Sequence, residues 1–261
     1  MSEQRVSIEF NDGIADVRLT RPDKMNALDP AMFAAIADAI ETLNGTAGLR
    51  AVVLSGEGRA FCAGLDMASM AGGGSDLDLD GRSHGDANLF QQVAWGWRTL
   101  PVPVIAAVHG IAFGGGFQIL SGADVRTLAP GTRCSIMEMK WGTVPAMAGF
   151  ARWRTPVRDD VLRELPYTAR EFSAEEALTF GFATRVVEGA YGEAMALPRE
   201  LARRNPHAVR AAKRLANLAA EAGAPAILAA ESAEQALLLR SSNQIEAVMA
   251  NMQKRAPHFT D

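Results

Sequence analysis

Residues Ile105–Val125 read IAAVHGIAFGGGFQILSGADV and decide the fold more than any other stretch of this 261-residue chain. The apolar run Val104–Val108 predicts a buried strand, Gly114–Gly116 predicts a tight turn, and a helix is predicted to follow as far as about Gly122. The free N–H groups and the positive dipole end of that helix face whatever lies at the turn. Either the glycines only allow the helix to pack tightly on the strand, or the turn holds an anion or a developing oxyanion.

Two familiar phosphate-binding turns fit this stretch poorly. A Walker loop requires Gly-Lys-Ser or Gly-Lys-Thr, and the glycine run is followed by Phe117 instead. A dinucleotide fingerprint requires G-x-G-x-x-G, whereas these glycines stand at positions 110, 114, 115 and 116.

A second turn of the same kind occurs earlier in the chain. The short run Ala51–Leu54 predicts a buried strand, and the segment Arg59–Asp66 (RAFCAGLD) then places small residues in a tight turn. Two turns at strand ends can offer two N–H donors to one oxygen atom. That arrangement is typical of a site that stabilises an enolate or a tetrahedral oxyanion.

The remaining patterns predict an α/β core followed by helices. Val6–Phe10 and Ile14–Leu19 alternate around Asn11-Asp12-Gly13 and predict a hairpin, and Asp29-Pro30 predicts the start of a helix. Further short strands are predicted at Val125–Leu128, Ser135–Met137 and Ala183–Val187. From Tyr191 onward only helices are expected, with interruptions near Pro206 and Pro225. Residues 71–86, rich in Gly, Ser and Asp, predict a surface loop.

Composition narrows the class of protein. The chain has 48% hydrophobic residues, which excludes a disordered chain, and a net charge of −4, which argues against binding nucleic acid through bulk charge. The longest apolar runs are too short to cross a bilayer, so no membrane association is expected. Cys62 and Cys134 can build neither a disulfide framework nor a metal site, which predicts a cytoplasmic protein without a metal.

Five motifs in order along the chain resemble those of the crotonase superfamily, also called the enoyl-CoA hydratase/isomerase family. They are RPDKMNAL (Arg21–Leu28), AFCAGLD (Ala60–Asp66), the opening stretch Ile105–Val125, SIMEMKWGTVP (Ser135–Pro145) and FSAEEALTFGFATRVV (Phe172–Val187). The resemblance implies a spiral of ββα units over residues 1–190 that carries an acyl-CoA site. It also implies a helical region over residues 191–261 that closes the site and assembles a homotrimer or a dimer of trimers. Coenzyme A enters as part of the substrate, and no separate cofactor is implied.

The resemblance also implies roles for individual residues. The oxyanion-hole amides would be those of Leu65 and Gly115. Residues implied or predicted to contact the substrate are Lys24, Ala27, Ala63, Gly64, Asp66, Gly114 and, near the acyl group, Trp141.

The catalytic pair departs from the family's hydratases. Those enzymes resemble one another in having two glutamates, but here the first position is Gln118 and only the second, Glu138, is a carboxylate. An amide takes up no proton at neutral pH, although it can orient water. The residues therefore favour a one-base isomerase, in which Glu138 moves a proton from the α to the γ carbon of an enoyl-CoA.

Two other interpretations stay open at this point. Gln118 or another group could orient water in a hydratase, or the chain could be a CoA-binding homologue without activity. A dienoyl-CoA isomerase is disfavoured, because the acid those enzymes carry eight residues after the Glu138 position is Ala146 here.

Overall fold

The structure is a computed structural model that describes residues 4–71 and 78–261. Its strands are β1 (Val6–Asn11), β2 (Ile14–Leu19), β3 (Ala51–Gly56), β4 (Val104–Val108), β5 (Ile111–Phe113), β6 (Val125–Leu128), β7 (Arg133–Ser135), β8 (Glu171–Ser173) and β9 (Arg185–Val186). Its helices are α1 (Pro30–Asn44), α2 (Met67–Ala71), α3 (Leu89–Thr99), α4 (Gly115–Ser121), α5 (Gly149–Trp153), α6 (Asp159–Thr168), α7 (Ala174–Phe180), α8 (Ala190–Leu201), α9 (Pro206–Ala219), α10 (Ala224–Leu238) and α11 (Ser242–Met252). The predicted α/β class is confirmed. Of the predicted loop over 71–86, residues 72–77 lie outside the described residues.

The strands form two sheets. The larger has the order β1-β2-β3-β4-β6-β9, and all its neighbours are parallel except β1 and β2. The smaller has the order β5-β7-β8, with β5 parallel to β7 and β8 antiparallel. Strands β5 and β8, of three residues each, were not predicted, and β7 overlaps the predicted strand Ser135–Met137 only at Ser135, because strands this short show no periodicity.

The predicted hairpin and first helix are confirmed, and local chemistry explains both. Asp12 and Gly13 both have positive φ, at 50° and 78°, as a two-residue turn between β1 and β2 requires. Helix α1 begins with Pro30, and the Asp29 side chain accepts a hydrogen bond from the Met32 amide at 2.8 Å.

The larger sheet is buried on both faces. On one face, alternate residues of β2, β3 and β4 pack against α1 and α3, where Trp97 is fully buried. On the other face, Ile14, Val53 and Ile105 pack with Ala194 of α8. Because both faces are covered, these parallel strands read as continuous apolar runs in the sequence.

The C-terminal region is helical, as predicted, with α9 starting at Pro206 and α10 at Ala224. No residue of α10 is buried within the described chain. The division at residue 190 stays a prediction, and α8, which begins there, packs on the core sheet. Across the described residues, no helix is both long and apolar enough to span a membrane.

Candidate active site

The side chain of Asn26 holds the turn that follows β3. Its Nδ2 donates to the carbonyl oxygens of Glu57 at 3.0 Å, Ala60 at 2.9 Å and Phe61 at 3.1 Å. Its Oδ1 accepts from the Arg21 amide at 2.8 Å, and the residue is fully buried. A buried amide that satisfies this many backbone groups fixes the path of the chain on both sides.

The next residues leave the N–H of Leu65 free. The Leu28 amide donates to Gly64 O at 2.8 Å, and the Asp66 amide donates to Leu28 O at 2.9 Å. This short parallel pairing uses the groups on either side of Leu65. Among the described residues no atom accepts a hydrogen bond from the Leu65 N–H.

The glycine turn after β5 presents a second free amide. Gly114 has φ 49° and ψ −117°, a conformation that only glycine adopts readily, and its amide donates to Ser135 O at 2.9 Å. Gly115 is the first residue of α4, so its N–H has no intrahelical acceptor. Residues 4–71 and 78–261 supply no other acceptor for it.

The two turns are in direct backbone contact, which explains two of the glycines. A Cβ on Gly64 would lie 2.6 Å from Phe113 O and 3.5 Å from the Gly115 nitrogen. A Cβ on Gly116 would lie 2.4 Å from Cys62 O. The free amides of Leu65 and Gly115 therefore belong to two segments that only glycines allow to approach so closely.

Glu138 lies beside the glycine turn. It begins the 3-10 turn Glu138–Trp141, and a Cβ on Gly114 would lie 3.6 Å from its Oε1. Oε1 accepts from Gln118 Nε2 at 2.5 Å, while the buried Oε2 has no hydrogen-bond partner within the described chain. Burial raises the pKa of the Glu138 carboxyl, although hydrogen bonds from its own amide and from Gln118 oppose the shift.

Gln118 uses both ends of its amide. Its Oε1 accepts from the Met147 amide at 2.9 Å and from the Gly149 amide at 3.1 Å, and its side chain is buried. A Cβ on Gly149 would lie 2.9 Å from that oxygen and 2.4 Å from the Trp153 ring. Gln118 thus joins the 147–149 backbone to the Glu138 carboxylate.

This arrangement brings the unpartnered N–H groups of Leu65 and Gly115 and the carboxylate of Glu138 to the place where the two turns meet. The N–H pair can stabilise negative charge that develops on a carbonyl oxygen. A carboxylate with a raised pKa can take up and return a proton near neutral pH.

Comparison with known proteins places the chain in a family. A family model described as enoyl-CoA hydratase/isomerase matches residues 9–261. The chain belongs to the enoyl-CoA hydratase/isomerase family. The resemblance predicted from the five motifs is thereby confirmed.

Relatives within the enoyl-CoA hydratase/isomerase family cover the whole chain. A probable enoyl-CoA hydratase from Rhodobacter capsulatus is 33% identical over 264 residues, which are 100% of this chain and 99% of that protein. The mitochondrial methylglutaconyl-CoA hydratase of Mus musculus is 28% identical over 96% of this chain and 81% of its own. The crystal structure of enoyl-CoA hydratase from Mycobacterium tuberculosis H37Rv superposes with a TM-score of 0.88 at 30% identity, covering 99% of both chains. The crotonase-like fold and an enzyme of hydratase or isomerase type follow.

Three of the predicted substrate-contacting residues cluster through their backbone. Lys24 ends the 3-10 turn Pro22–Lys24 with an exposed side chain, and its carbonyl accepts from the Ala27 amide at 3.1 Å. The Ala63 amide donates to Met25 O at 2.9 Å. The segment that carries Lys24 and Ala27 therefore lies against the turn that carries Ala63, Gly64 and Leu65. Their roles in this family member stay predictions.

Asp66 is engaged with the protein itself. Its Oδ2 lies 2.8 Å from Arg21 Nη1, and the same nitrogen lies 3.0 Å from Ala27 O and 3.5 Å from Asp29 Oδ2. Burial acts against ionisation, but hydrogen bonds from Arg21 and Ser69 outweigh it and hold the pKa of Asp66 below its ordinary value. The predicted contact of Asp66 with substrate thus competes with a well-formed ion pair.

Trp141 lies three residues after Glu138 and is 54% exposed. Lys140 Nζ lies 5.8 Å from the centre of its ring. Its predicted place beside the acyl group stays a prediction.

Arg21 and Asn26 support both segments and were not predicted as site residues. Both lie in the RPDKMNAL motif, so the motif marked the segment without showing that these side chains face inward. In the structure Asn26 has a positive φ of 54°, a conformation that asparagine tolerates better than most residues. The sequence alone does not reveal that conformation.

Proposed function

We propose that this enzyme moves the double bond of an enoyl-CoA thioester by one-base proton transfer. The observation that carries the proposal is the hydrogen bond from Gln118 Nε2 to Glu138 Oε1 at 2.5 Å. Because residue 118 is a glutamine, Glu138 is the one carboxylate of this pair beside the two free amides, whereas the family's hydratases resemble one another in having two glutamates. The chemistry uses coenzyme A as part of the substrate and needs no separate cofactor.

Binding begins with the thioester carbonyl oxygen. We place this oxygen between the N–H groups of Leu65 and Gly115, because neither amide has an acceptor among the described residues. Both donors are backbone groups held by neighbouring hydrogen bonds, so little reorganisation is needed as charge develops. Each donor of this kind contributes about 10²–10³-fold to the rate.

Glu138 then transfers the proton. Its Oε2 removes a proton from the α carbon of a 3-enoyl-CoA, and the C–H electron pair forms the enolate. When the enolate collapses, a double bond forms between the α and β carbons, and the former β,γ double bond takes the same proton from Glu138 at the γ carbon. Atoms and charge balance, and Glu138 ends as a carboxylate.

Gln118 supports this step by position. Its Oε1 is occupied by two backbone amides and its Nε2 by Glu138, so the side chain holds the carboxylate through Oε1 and leaves the buried Oε2 without a partner, as the base requires. Because an amide exchanges no proton at neutral pH, Gln118 does not take the place of a second acid.

Hydration of a 2-enoyl-CoA is the second candidate, and the names of the relatives favour it. Both the Rhodobacter capsulatus protein and the Mycobacterium tuberculosis structure are described as enoyl-CoA hydratases. In this version Glu138 alone would deprotonate water and later supply the α proton.

The decisive experiment offers 3-enoyl-CoA and 2-enoyl-CoA thioesters, from four to sixteen carbons, to the same enzyme preparation. Proton NMR distinguishes a shifted double bond from a 3-hydroxyacyl product. We expect 3-enoyl-CoA to be converted faster than 2-enoyl-CoA is hydrated at every chain length that reacts. Faster hydration would select the second candidate.

Matched variants separate catalysis from binding. Glu138→Gln should lower kcat by about 10²–10⁴-fold. Glu175 is an exposed glutamate on α7, and Glu175→Gln should leave turnover unchanged. Binding of CoA thioesters without any turnover by the parent enzyme would support a non-catalytic homologue instead.

We further propose that the chain forms a homotrimer or a dimer of trimers in the cytoplasm. Exposed apolar side chains on the C-terminal helices support assembly: Leu228, Leu237, Leu239, Ile245 and Val248. Two free, buried cysteines suit a reducing compartment. Light scattering coupled to gel filtration measures the assembly, and a monomeric mass would contradict it.

A further inference from the structure

Four cationic side chains lie together around the carboxyl end of α4, three of them buried and the fourth, Arg126, half-buried. Arg98, Arg152 and Lys213 are each less than a tenth exposed. Arg152 Nε donates to Ser121 O at 3.0 Å, and Arg126 Nη1 donates to Ala123 O at 2.8 Å. Carbonyl oxygens at the end of a helix are suitable partners for cations, but they carry only partial charges.

Two carboxylates offset this cluster incompletely. Asp124 accepts from Lys213 Nζ at 2.8 Å and from the Val104 amide at 2.8 Å. Glu221 acts on Arg98 and Arg152 only at longer range. These four positive charges outnumber the two negative ones, and Arg154 adds a further positive charge that acts on Arg98. Burial and the neighbouring Arg98 and Arg126 lower the pKa of the Arg152 guanidinium to about 10.

A small cavity is lined by two of these arginines. Its volume is about 10 Å³, and its walls include Arg126, Arg152, Ser121 and Trp153. That is room for about one water-sized particle. Ser121 Oγ already donates to Phe117 O at 2.7 Å and accepts from Trp153 Nε1 at 2.8 Å. The side-chain donors left at this cavity are therefore those of the arginines.

Three guanidinium nitrogens of these two arginines have no acceptor in the described part of the chain. Arg152 uses only Nε, which leaves Nη1 and Nη2. Arg126 uses Nε with Phe182 O and Nη1 with Ala123 O and Asp124 O, which leaves Nη2. The side chains that line the cavity include no carboxylate.

We propose that this cavity binds one halide ion, chloride in the cell, between Arg126 and Arg152. A monoatomic anion accepts hydrogen bonds from both guanidinium groups and offsets part of the excess charge, which a water molecule does not. The ion would connect β6 to α5, whose first residue, Gly149, donates to Gln118.

Diffraction tests the site directly. Crystals grown with about 100 mM sodium bromide should show an anomalous peak within hydrogen-bond distance of both guanidinium groups. Bromide at the outer surface only, or no peak at this cavity, would overturn the proposal.

Thermal unfolding tests it in solution. At constant ionic strength, replacing gluconate with chloride should raise the Tm by about 3 °C for each tenfold increase in chloride above its Kd. Arg126→Met and Arg152→Met should lose this dependence, and Arg158→Met, which changes an exposed arginine paired with Asp160, should keep it. A parent Tm that is the same in both salts would refute the site, even if the cavity variants fail to fold.

Discussion

Replacing Gln118 with glutamate tests the one-base proposal most directly. The new side chain has the same length, so one of its oxygens can still accept from the amides of Met147 and Gly149. Its other oxygen would take the position of Nε2, 2.5 Å from Glu138 Oε1. The variant therefore exchanges a hydrogen bond for two facing carboxyl oxygens.

The energy at that distance decides the protonation state. Two full charges 2.5 Å apart repel by about 7 kcal/mol at an effective dielectric constant of 20. The pair relieves this repulsion by holding one proton between its oxygens at neutral pH, as two carboxyls that share a site do. The variant thus gains the acid that the parent lacks.

Two activities should change in opposite directions. Hydration of short 2-enoyl-CoA should rise by about 10²-fold, the lower end of what a positioned acid contributes. Isomerisation should fall, because Glu138 shares its proton with the new carboxyl. Loss of the conjugated thioester absorbance measures the first, and proton NMR of the products measures the second.

Stability supplies an independent check on this variant. The pair's pKa is raised in the folded state above its value in the unfolded chain. Its contribution is therefore most favourable at low pH and is lost as the pH rises through the folded pKa. The Tm difference from the parent should widen between pH 5 and pH 8.

A matched change on the surface controls for charge alone. Gln244→Glu alters a glutamine on α11 whose Oε1 accepts from the Arg240 amide at 3.1 Å in an exposed position. It should change neither activity. Unchanged hydration by a Gln118→Glu variant that keeps the parent's Tm at pH 5 would refute the reasoning.

Three further predictions concern other contacts. Glu138→Gln should lower kcat by about 10²–10⁴-fold while leaving CoA-thioester affinity within a few-fold, and binding calorimetry measures that affinity; full activity of the variant would contradict the role of Glu138 as base. The parent's rate, assayed from pH 4 to pH 8, should fall as the pH drops through a pKa above the usual range for glutamate. Asp66→Asn should lower the free energy of unfolding by about 1 kcal/mol, because it removes the charge of one half-buried partner of Arg21 while Asp29 and Ala27 O remain; an unchanged urea midpoint would show that the pair is not needed. Gly149→Ala should lower both Tm and activity, because the added carbon would lie 2.4 Å from the Trp153 ring; a variant with the parent's Tm would contradict the close fit.

The sequence alone predicted the elements that have a local signal, namely strands with alternating or continuous apolar residues and the turns that join or end them. Alternation around Asp12-Gly13 predicted the hairpin, and the apolar run Val104–Val108 before Gly114 predicted the strand and turn. These signals are local, because hairpin turns and buried strands depend on the residues they contain.

Contacts between distant segments were beyond local patterns. That Gln118 reaches the amides of Met147 and Gly149 depends on two segments about thirty residues apart meeting at the right depth. The same holds for Arg21 and Asp66, which the sequence marks only as members of two motifs. Residue type suggested which groups do chemistry, and tertiary packing decides which partners they have.

The double use of the Gln118 amide has an evolutionary consequence. Glutamine and glutamate codons differ only in their first base, cytosine or guanine, and the two side chains have the same length. A single transversion at codon 118 would keep the acceptor that the Met147 and Gly149 amides require while giving Glu138 a second carboxyl neighbour. The scaffold that holds this pair is therefore compatible with either residue, and natural drift can sample both chemistries without first rebuilding the loop.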